Sequence, residues 1–178
     1  MQALVVSTSL NKDSKSRVLA KQVYEALSLS LDEAAGDSKV FADLVDYPLP
    51  LCDGGAAYGD PNVAKMAALI GQSQCIIVAF PVYNYTCSAA LKNLIELTGR
   101  AWENKVVSFV CAAGGKSSYM SVMSIASSLM LDFRSVIVPR FVYSDPDAYS
   151  EINVQDSQMH RRLRELAATS VHMAKALN

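Results

Sequence analysis

Apolar positions along this chain follow two rhythms: short unbroken runs, and longer stretches with a period near that of an α-helix. The most sharply bounded run is CIIVAF at residues 75–80. It is short and rich in β-branched side chains, which predicts a strand covered on both faces. Pro81 lacks the N–H that a central strand needs, so pairing is expected to end there. Beyond it, Ala90, Leu91, Leu94, Ile95 and Thr98 recur at helical spacing, with Lys92, Asn93 and Glu96 on the other side. Other runs predict strands at residues 3–6, 39–44, 105–111 and 136–138, and periodic stretches predict helices at 17–31, 63–73, 120–131 and 156–176. Residues 46–60 (DYPLPLCDGGAAYGD) are punctuated by Pro and Gly and read as a long surface loop. Trp102 is expected over the edge of a return turn at 99–104, and residues 145–156 read as an acidic surface loop.

Strands and helices alternate without a composition break or an internal repeat, which implies an α/β fold with a parallel sheet between two helical layers. Three polar or glycine-bearing loops follow the first, third and fourth predicted strands. In a doubly wound, flavodoxin-like five-stranded sheet of order 2-1-3-4-5 those strands are neighbours, so their loops converge at the carboxyl edge, where such folds bind ligands. A chain of 178 residues suits one domain, expected over residues 1–178, that buries roughly 70% of its unfolded surface.

Charge and cysteine usage narrow the class further. Net charge is −1 with 19% charged residues, so no basic balance points to nucleic acid. No apolar run approaches the roughly 20 residues of a membrane span, and a strand beginning by Ala3 leaves no room for a signal peptide. Cys52, Cys75, Cys87 and Cys111 form no C-x-x-C pair and read as reduced thiols in a cytoplasmic protein, not as disulfides or metal ligands.

The loop at residues 7–16 (STSLNKDSKS) places hydroxyls just before a helix start, where free N–H groups and serine side chains together can cradle a phosphate. The same text also reads as an ordinary capping loop, with Ser14 or Ser16 as N-cap. It is not a Walker loop, because that spacing before Gly115-Lys116-Ser117 requires glycine at Val110. The sixth residue after Cys111 is Ser117, not the arginine of a thiol phosphatase loop. A phospho-acceptor receiver would need acidic residues where Ser7-Thr8-Ser9 stand. Backbone and rings at Pro81, Val82, Tyr83, Asn84 and Tyr85, together with Gly114 and Gly115, are suited to hold a planar ligand, since glycine lets backbone come close. His160 and His172 fall among arginines on the last helix and read as solvated surface.

With these features together, the sequence resembles the NADPH-dependent FMN reductase family, a branch of the flavodoxin-like flavin, quinone and azo reductases. The likeness spans nearly the whole chain and is most specific in PVYNYTCSAALKNLIE (81–96), which is similar to the family's P-x-Y-N loop and L-K-N helix. TSLNKDSKSRVLA (8–20), DLVDYPLPLCDG (43–54) and CAAGGKSS (111–118) follow the family's text after the first, second and fourth strands. The resemblance implies FMN as cofactor and NADPH or NADH as hydride donor. It implies a small-molecule electron acceptor such as a quinone, free flavin or azo compound, and a homodimer or homotetramer. It assigns FMN contacts to Ser9, Asn11, Ser14, Lys15, Ser16, Pro81, Val82, Tyr83, Asn84, Ala113, Gly114 and Gly115, with no protein acid, base or nucleophile. Asn11 stands where the family commonly has arginine, and Thr8 and Asp13 replace glycines. Without that arginine a bidentate phosphate partner is lost, which leaves Lys12 or Lys15 to supply charge. Two alternatives remain: a flavodoxin-type electron carrier, and a binding module that has lost the flavin.

Overall fold

The structure, a computed structural model, describes residues 1–150 and 153–177. Its sheet is built from β1 (Gln2–Ser7), β2 (Ser38–Asp43), β3 (Cys75–Tyr83), β5 (Val106–Ala112) and an outer strand in two pieces, β6 (Val136–Ile137) and β7 (Val142–Ser144). A two-residue β4 (Thr86–Cys87) folds back antiparallel on the end of β3. The order β2-β1-β3-β5-β6, parallel throughout, is the expected doubly wound arrangement, with the small β4 shifting the later numbers.

Alternation along each strand divides the core between two layers. Ala3, Val5, Cys75, Ile77 and Ala79 face the layer formed by α1 (Lys15–Leu27) and α5 (Ser157–Leu177), where Leu19, Val23, Leu163 and Leu166 pack against them. Leu4, Val6, Ile76, Val78 and Phe80 face the other layer, formed by α2 (Pro61–Gln72), α3 (Ala89–Thr98) and α4 (Met123–Phe133). Both faces of β3 are thus buried, as its unbroken apolar run implies. Ser108 is the polar exception in β5, and the Ser170 hydroxyl of α5 donates to it at 3.0 Å.

Four expectations need correction. β3 does not end before Pro81, which stays in register with Ala112 of β5. β1 has already stopped at Ser7↔Ala79, so Pro81 lies where β3 has a neighbour on one side only, and its missing N–H costs no ladder bond there. The outer strand does not end at Val138: β7 resumes it, and the register offset against β5 rises from 30 at Val106↔Val136 to 32 at Val110↔Val142, two extra residues beside Pro139. Trp102 is fully buried, its indole N–H donating to Thr98 Oγ1 at 2.8 Å. The stretch after β7 is more than an acidic surface loop, since Ala148 and Val154 join the core; residues 151–152 lie outside the described residues. The loop 46–60 is irregular apart from one short helical turn, Ala56–Gly59. Asn93 of α3 fastens it, accepting from Cys52 N at 2.9 Å and donating to Pro50 O at 2.8 Å.

Candidate functional site

β1 and β3 lie side by side, but β1 leads outward to β2 while β3 leads to β5 on the other side. The loops that leave their carboxyl ends therefore run in opposite directions, and a crevice opens at this switch point. A cleft of about 310 Å³ lies there, lined by Ser9, Asn11, Asp13, Ser14, Lys15 and Ser16 from the first loop, Pro81–Tyr83 from β3, and Ala112, Ala113 and Gly114 from the end of β5, with Pro146 beside them. Three segments far apart in sequence thus meet in one place. Of the residues singled out from the sequence to hold the ring, Asn84, Tyr85 and Gly115 stand outside this lining. Asn84 is at the tip of the β3–β4 hairpin, beside a second cavity of about 580 Å³ that also touches Tyr83, Cys87 and Ser124. Gly115 is half-buried one residue behind Gly114, its carbonyl accepting from the Tyr143 phenol. Lys12 is exposed and does not line the cleft, whereas Lys15 does.

The first loop is shaped from behind. The Thr8 N–H and hydroxyl both donate to Ala79 O, at 2.9 and 3.0 Å, pinning the start of the loop to the central strand. Arg17, buried in the first turn of α1, donates to the carbonyls of Ser9 (2.9 Å), Lys12 (2.6 Å) and Asn11. Its guanidinium also forks onto Asp43 at the end of β2, with Nη2 at 3.1 Å from Oδ1 and Nε on Oδ2. The hydrogen bond to Asp43 raises the Arg17 pKa, so the guanidinium stays charged. Carbonyl oxygens that would repel an anion are thereby engaged by a cation. This brace was invisible in the sequence because its partner lies in another strand.

The front of the loop has a complementary character. Ser14 occupies the N-cap of α1 with extended backbone, yet its hydroxyl makes no capping bond; it pairs instead with the Ser16 hydroxyl at 2.8 Å. The Arg17 N–H donates to Ser14 O at 3.1 Å; the N–H groups ahead of it have no acceptor within the helix, and the side chain placed to cap them is turned elsewhere. The helix start is open and carries the positive end of its dipole. One hydrogen of the serine pair is used internally, which leaves the other hydroxyl free to donate. Ser9 Oγ and Asn11 Oδ1 accept from the loop's own Asn11 and Asp13 N–H groups, at 3.3 and 3.0 Å. Lys15 Nζ lies 4.7 Å from the centroid of Tyr149, a ring brought in by the stretch after β7.

The other walls fit a flat ligand. Asn84 and Tyr85 both have positive φ, 49° and 66°, the signature of a primed two-residue turn. Asparagine tolerates that backbone, but tyrosine there is strained, a kind of strain that gathers at functional sites. Tyr83 and Tyr85 leave their rings largely exposed. Gly114 and Gly115 have no positive φ, and a Cβ added to either would meet nothing within 4 Å. The bare backbone there leaves room for an outside group to come close. An open anion site, a glycine wall and an aromatic hairpin tip match a phosphate-bearing planar cofactor such as FMN. Lys116, from the same glycine segment, is committed to Asp147 at 2.7 Å, and that pairing raises its pKa.

The four cysteines are free, and burial pushes the Cys75 thiol up to about 12. No helix among the described residues is long and apolar enough to cross a membrane.

Known proteins resemble this chain over most of its length. The profile of NADPH-dependent FMN reductases matches residues 1–149. An NAD(P)H-dependent FAD/FMN reductase of Geobacillus thermodenitrificans is 30% identical over 135 residues, 74% of this chain and 72% of that protein. An FMN-dependent NADH:quinone oxidoreductase of Bordetella petrii is 28% identical over 197 aligned positions, covering 92% of this chain and 93% of the relative. Among solved structures, the flavoenzyme NAD(P)H:(acceptor) oxidoreductase FerB of Paracoccus denitrificans superposes with a TM-score of 0.78 at 19% identity, over 99% of this chain and 98% of that one. At that identity the likeness speaks for the fold.

Proposed function

Because the chain belongs to the NADPH-dependent FMN reductase family, we propose that the cleft between β1 and β3 holds one FMN and that the protein is an NAD(P)H:acceptor oxidoreductase. When bound, FMN supplies the redox chemistry, taking a hydride from NADPH or NADH and returning electrons to a quinone, free flavin, azo compound or similar acceptor. The chain's part is to bind and orient. The open start of α1, with Ser9, Asn11, Ser14 and Ser16, takes the phosphate, and Lys15 adds the charge that Asn11 does not. Backbone from Pro81 to Tyr83 holds one edge of the ring system, and Ala113 and Gly114 the other. His160 and His172 lie on α5 and do not line the cleft, so no protein proton donor is assigned.

The observation that carries this reading is the uncapped start of α1 at the point where the three loops meet. An electron carrier without NAD(P)H activity shares the fold, but such carriers depend on strong acidity to steer toward basic partners, and the net charge here is −1. Anaerobic stopped-flow of the FMN-loaded protein decides between them. NADPH or NADH should bleach the flavin faster than it bleaches free FMN, and added quinone should restore the colour. No acceleration with either nucleotide would leave the electron carrier as the better account.

The whole chain, residues 1–178, forms one FMN-binding domain in this reading, and its free thiols suit the cytoplasm. It assembles as a homodimer or homotetramer. The segment after Gly115 exposes Met120, Met123, Met130 and Leu131, and the loop 46–60 exposes Leu51 and Tyr58. These exposed apolar side chains suit cover by a second subunit. Light scattering at micromolar concentration should return at least twice the 19.2 kDa chain mass; a strictly monomeric mass contradicts the assembly.

A further inference from the structure

Next to Tyr143, whose phenol donates to the Gly115 carbonyl, lies a smaller cavity of about 270 Å³. Its floor is the break in the outer strand, Pro139–Val142, and its walls are Tyr119, Tyr143, Arg140 and, from α5, Arg162. The two cavities are separated by very little chain. Tyr143 lines the small one and donates to the Gly115 carbonyl, while the adjacent Gly114 lines the large one.

The chemistry of the small cavity is aromatic and cationic. Tyr119 packs on Phe141 with ring centroids 4.9 Å apart and on Tyr143 at 5.5 Å, yet 51% of its surface remains exposed. An aromatic face open to solvent beside other rings is a stacking platform for a base. Glu165 of α5 is shared by Arg140 and by Arg161, the latter at 3.9 Å. Arg162 is exposed and has no ion pair among the described residues. An unpaired guanidinium next to a stacking ring matches a phosphomonoester carried by a purine nucleoside, because the planar fork accepts a phosphate in two-point fashion. The cavity falls just below the range of about 300–1,000 Å³ usual for sites that enclose a whole drug-sized ligand. It therefore suits one end of a long ligand whose other end lies elsewhere.

We infer that this cavity holds the adenosine 2′-phosphate end of NADPH, with the purine against Tyr119 and the 2′-phosphate on Arg162, so that it selects NADPH over NADH. The inference rests on the proposed NAD(P)H:acceptor activity, which places the nicotinamide end of the same molecule at the FMN cleft. The insertion at the β6–β7 break acquires a purpose in this arrangement, since it opens the floor on which the purine rests.

Calorimetric titration of the purified protein with adenosine 2′,5′-bisphosphate and with 5′-AMP tests it without any turnover. The bisphosphate should bind at least roughly tenfold more tightly, the scale of a charge-assisted hydrogen bond. Arg162→Ala should erase that preference while leaving AMP affinity and the melting temperature unchanged, because Arg162 is exposed. Arg162→Lys should restore part of it, and Tyr119→Leu should weaken both ligands alike. In steady state, Arg162→Ala should raise KM for NADPH by a similar factor and leave kcat and the KM for NADH unmoved. Equal affinity for the two nucleotides in the wild type, no binding of either, or an equal effect of Arg162→Ala on NADPH and NADH would overturn the inference. A preference for the bisphosphate in a protein whose flavin NADPH does not bleach would support this site and count against the reductase reading.

Discussion

Two walls of one cleft are built in opposite ways. The first loop is fixed by a buried guanidinium that reaches three of its carbonyls and the Asp43 carboxylate behind it. The glycine wall is attached lightly, by the Ala113 N–H on Ser144 O at 2.9 Å, the Tyr143 phenol on Gly115 O, and an exposed Lys116–Asp147 pair. The difference matches the two ends of the ligand proposed. A phosphate is small and highly charged, and it is bound best by donors fixed in advance. A planar ring needs close backbone approach on a surface that can adjust, and that surface must also admit a second substrate.

The largest effect should come from the braced side. Arg17→Ala leaves Asp43 buried, with its remaining partners being neutral N–H groups such as Val45 N at 3.2 Å. Breaking a buried ion pair from one side costs about 3–5 kcal/mol, and the loop carbonyls lose their donor at the same time. Urea unfolding should show this loss, and FMN affinity should fall with it. Arg17→Ala/Asp43→Ala should be less damaging than the two single losses added together. A loss under about 1 kcal/mol for Arg17→Ala would mean that the loop keeps its shape without the brace.

A smaller effect, of a different kind, should come from the other wall. Gly114→Val places its Cβ in open space with no left-handed φ to violate, so stability should stay within about 0.5 kcal/mol of wild type. FMN affinity should nevertheless drop, because the added side chain stands where backbone must approach the ring. If FMN binds Gly114→Val as well as the native protein, the glycine wall does not face the flavin, and the two-wall description loses one half.

How much of this could be read from the sequence depended on how local each feature was. The buried strands β1, β3 and β5 and the α1 and α3 helices announce themselves, because unbroken apolar runs and helical periodicity each need only neighbouring residues. The meeting of the three loops also followed, since the strand order dictates it. Features that depend on distant partners were hidden. Arg17 looks like an ordinary helix residue until Asp43, 26 positions along, is brought beside it. Pro81 reads as a strand end until β1 is seen to stop before it. Val142–Ser144 is too short, and too close to Pro139, to read as the continuation of an edge strand. Tyr149 gave no sign of its place over Lys15, because that contact joins opposite ends of the chain. Tyr85, strained in a turn where glycine would sit easily, is where local preference and the fold disagree most openly.

The claim on which everything else rests is that the start of α1 is a phosphate site, and a two-by-two titration tests it most directly. FMN and riboflavin differ only in the phosphate, and Ser14→Ala/Ser16→Ala removes the paired hydroxyls at 2.8 Å without touching the ring walls. Each hydroxyl is worth about 1 kcal/mol or somewhat more, so fluorescence titration should show FMN affinity falling at least roughly tenfold in the double variant, with riboflavin bound equally by both proteins. Equal FMN affinity in the wild type and the double variant would contradict the account.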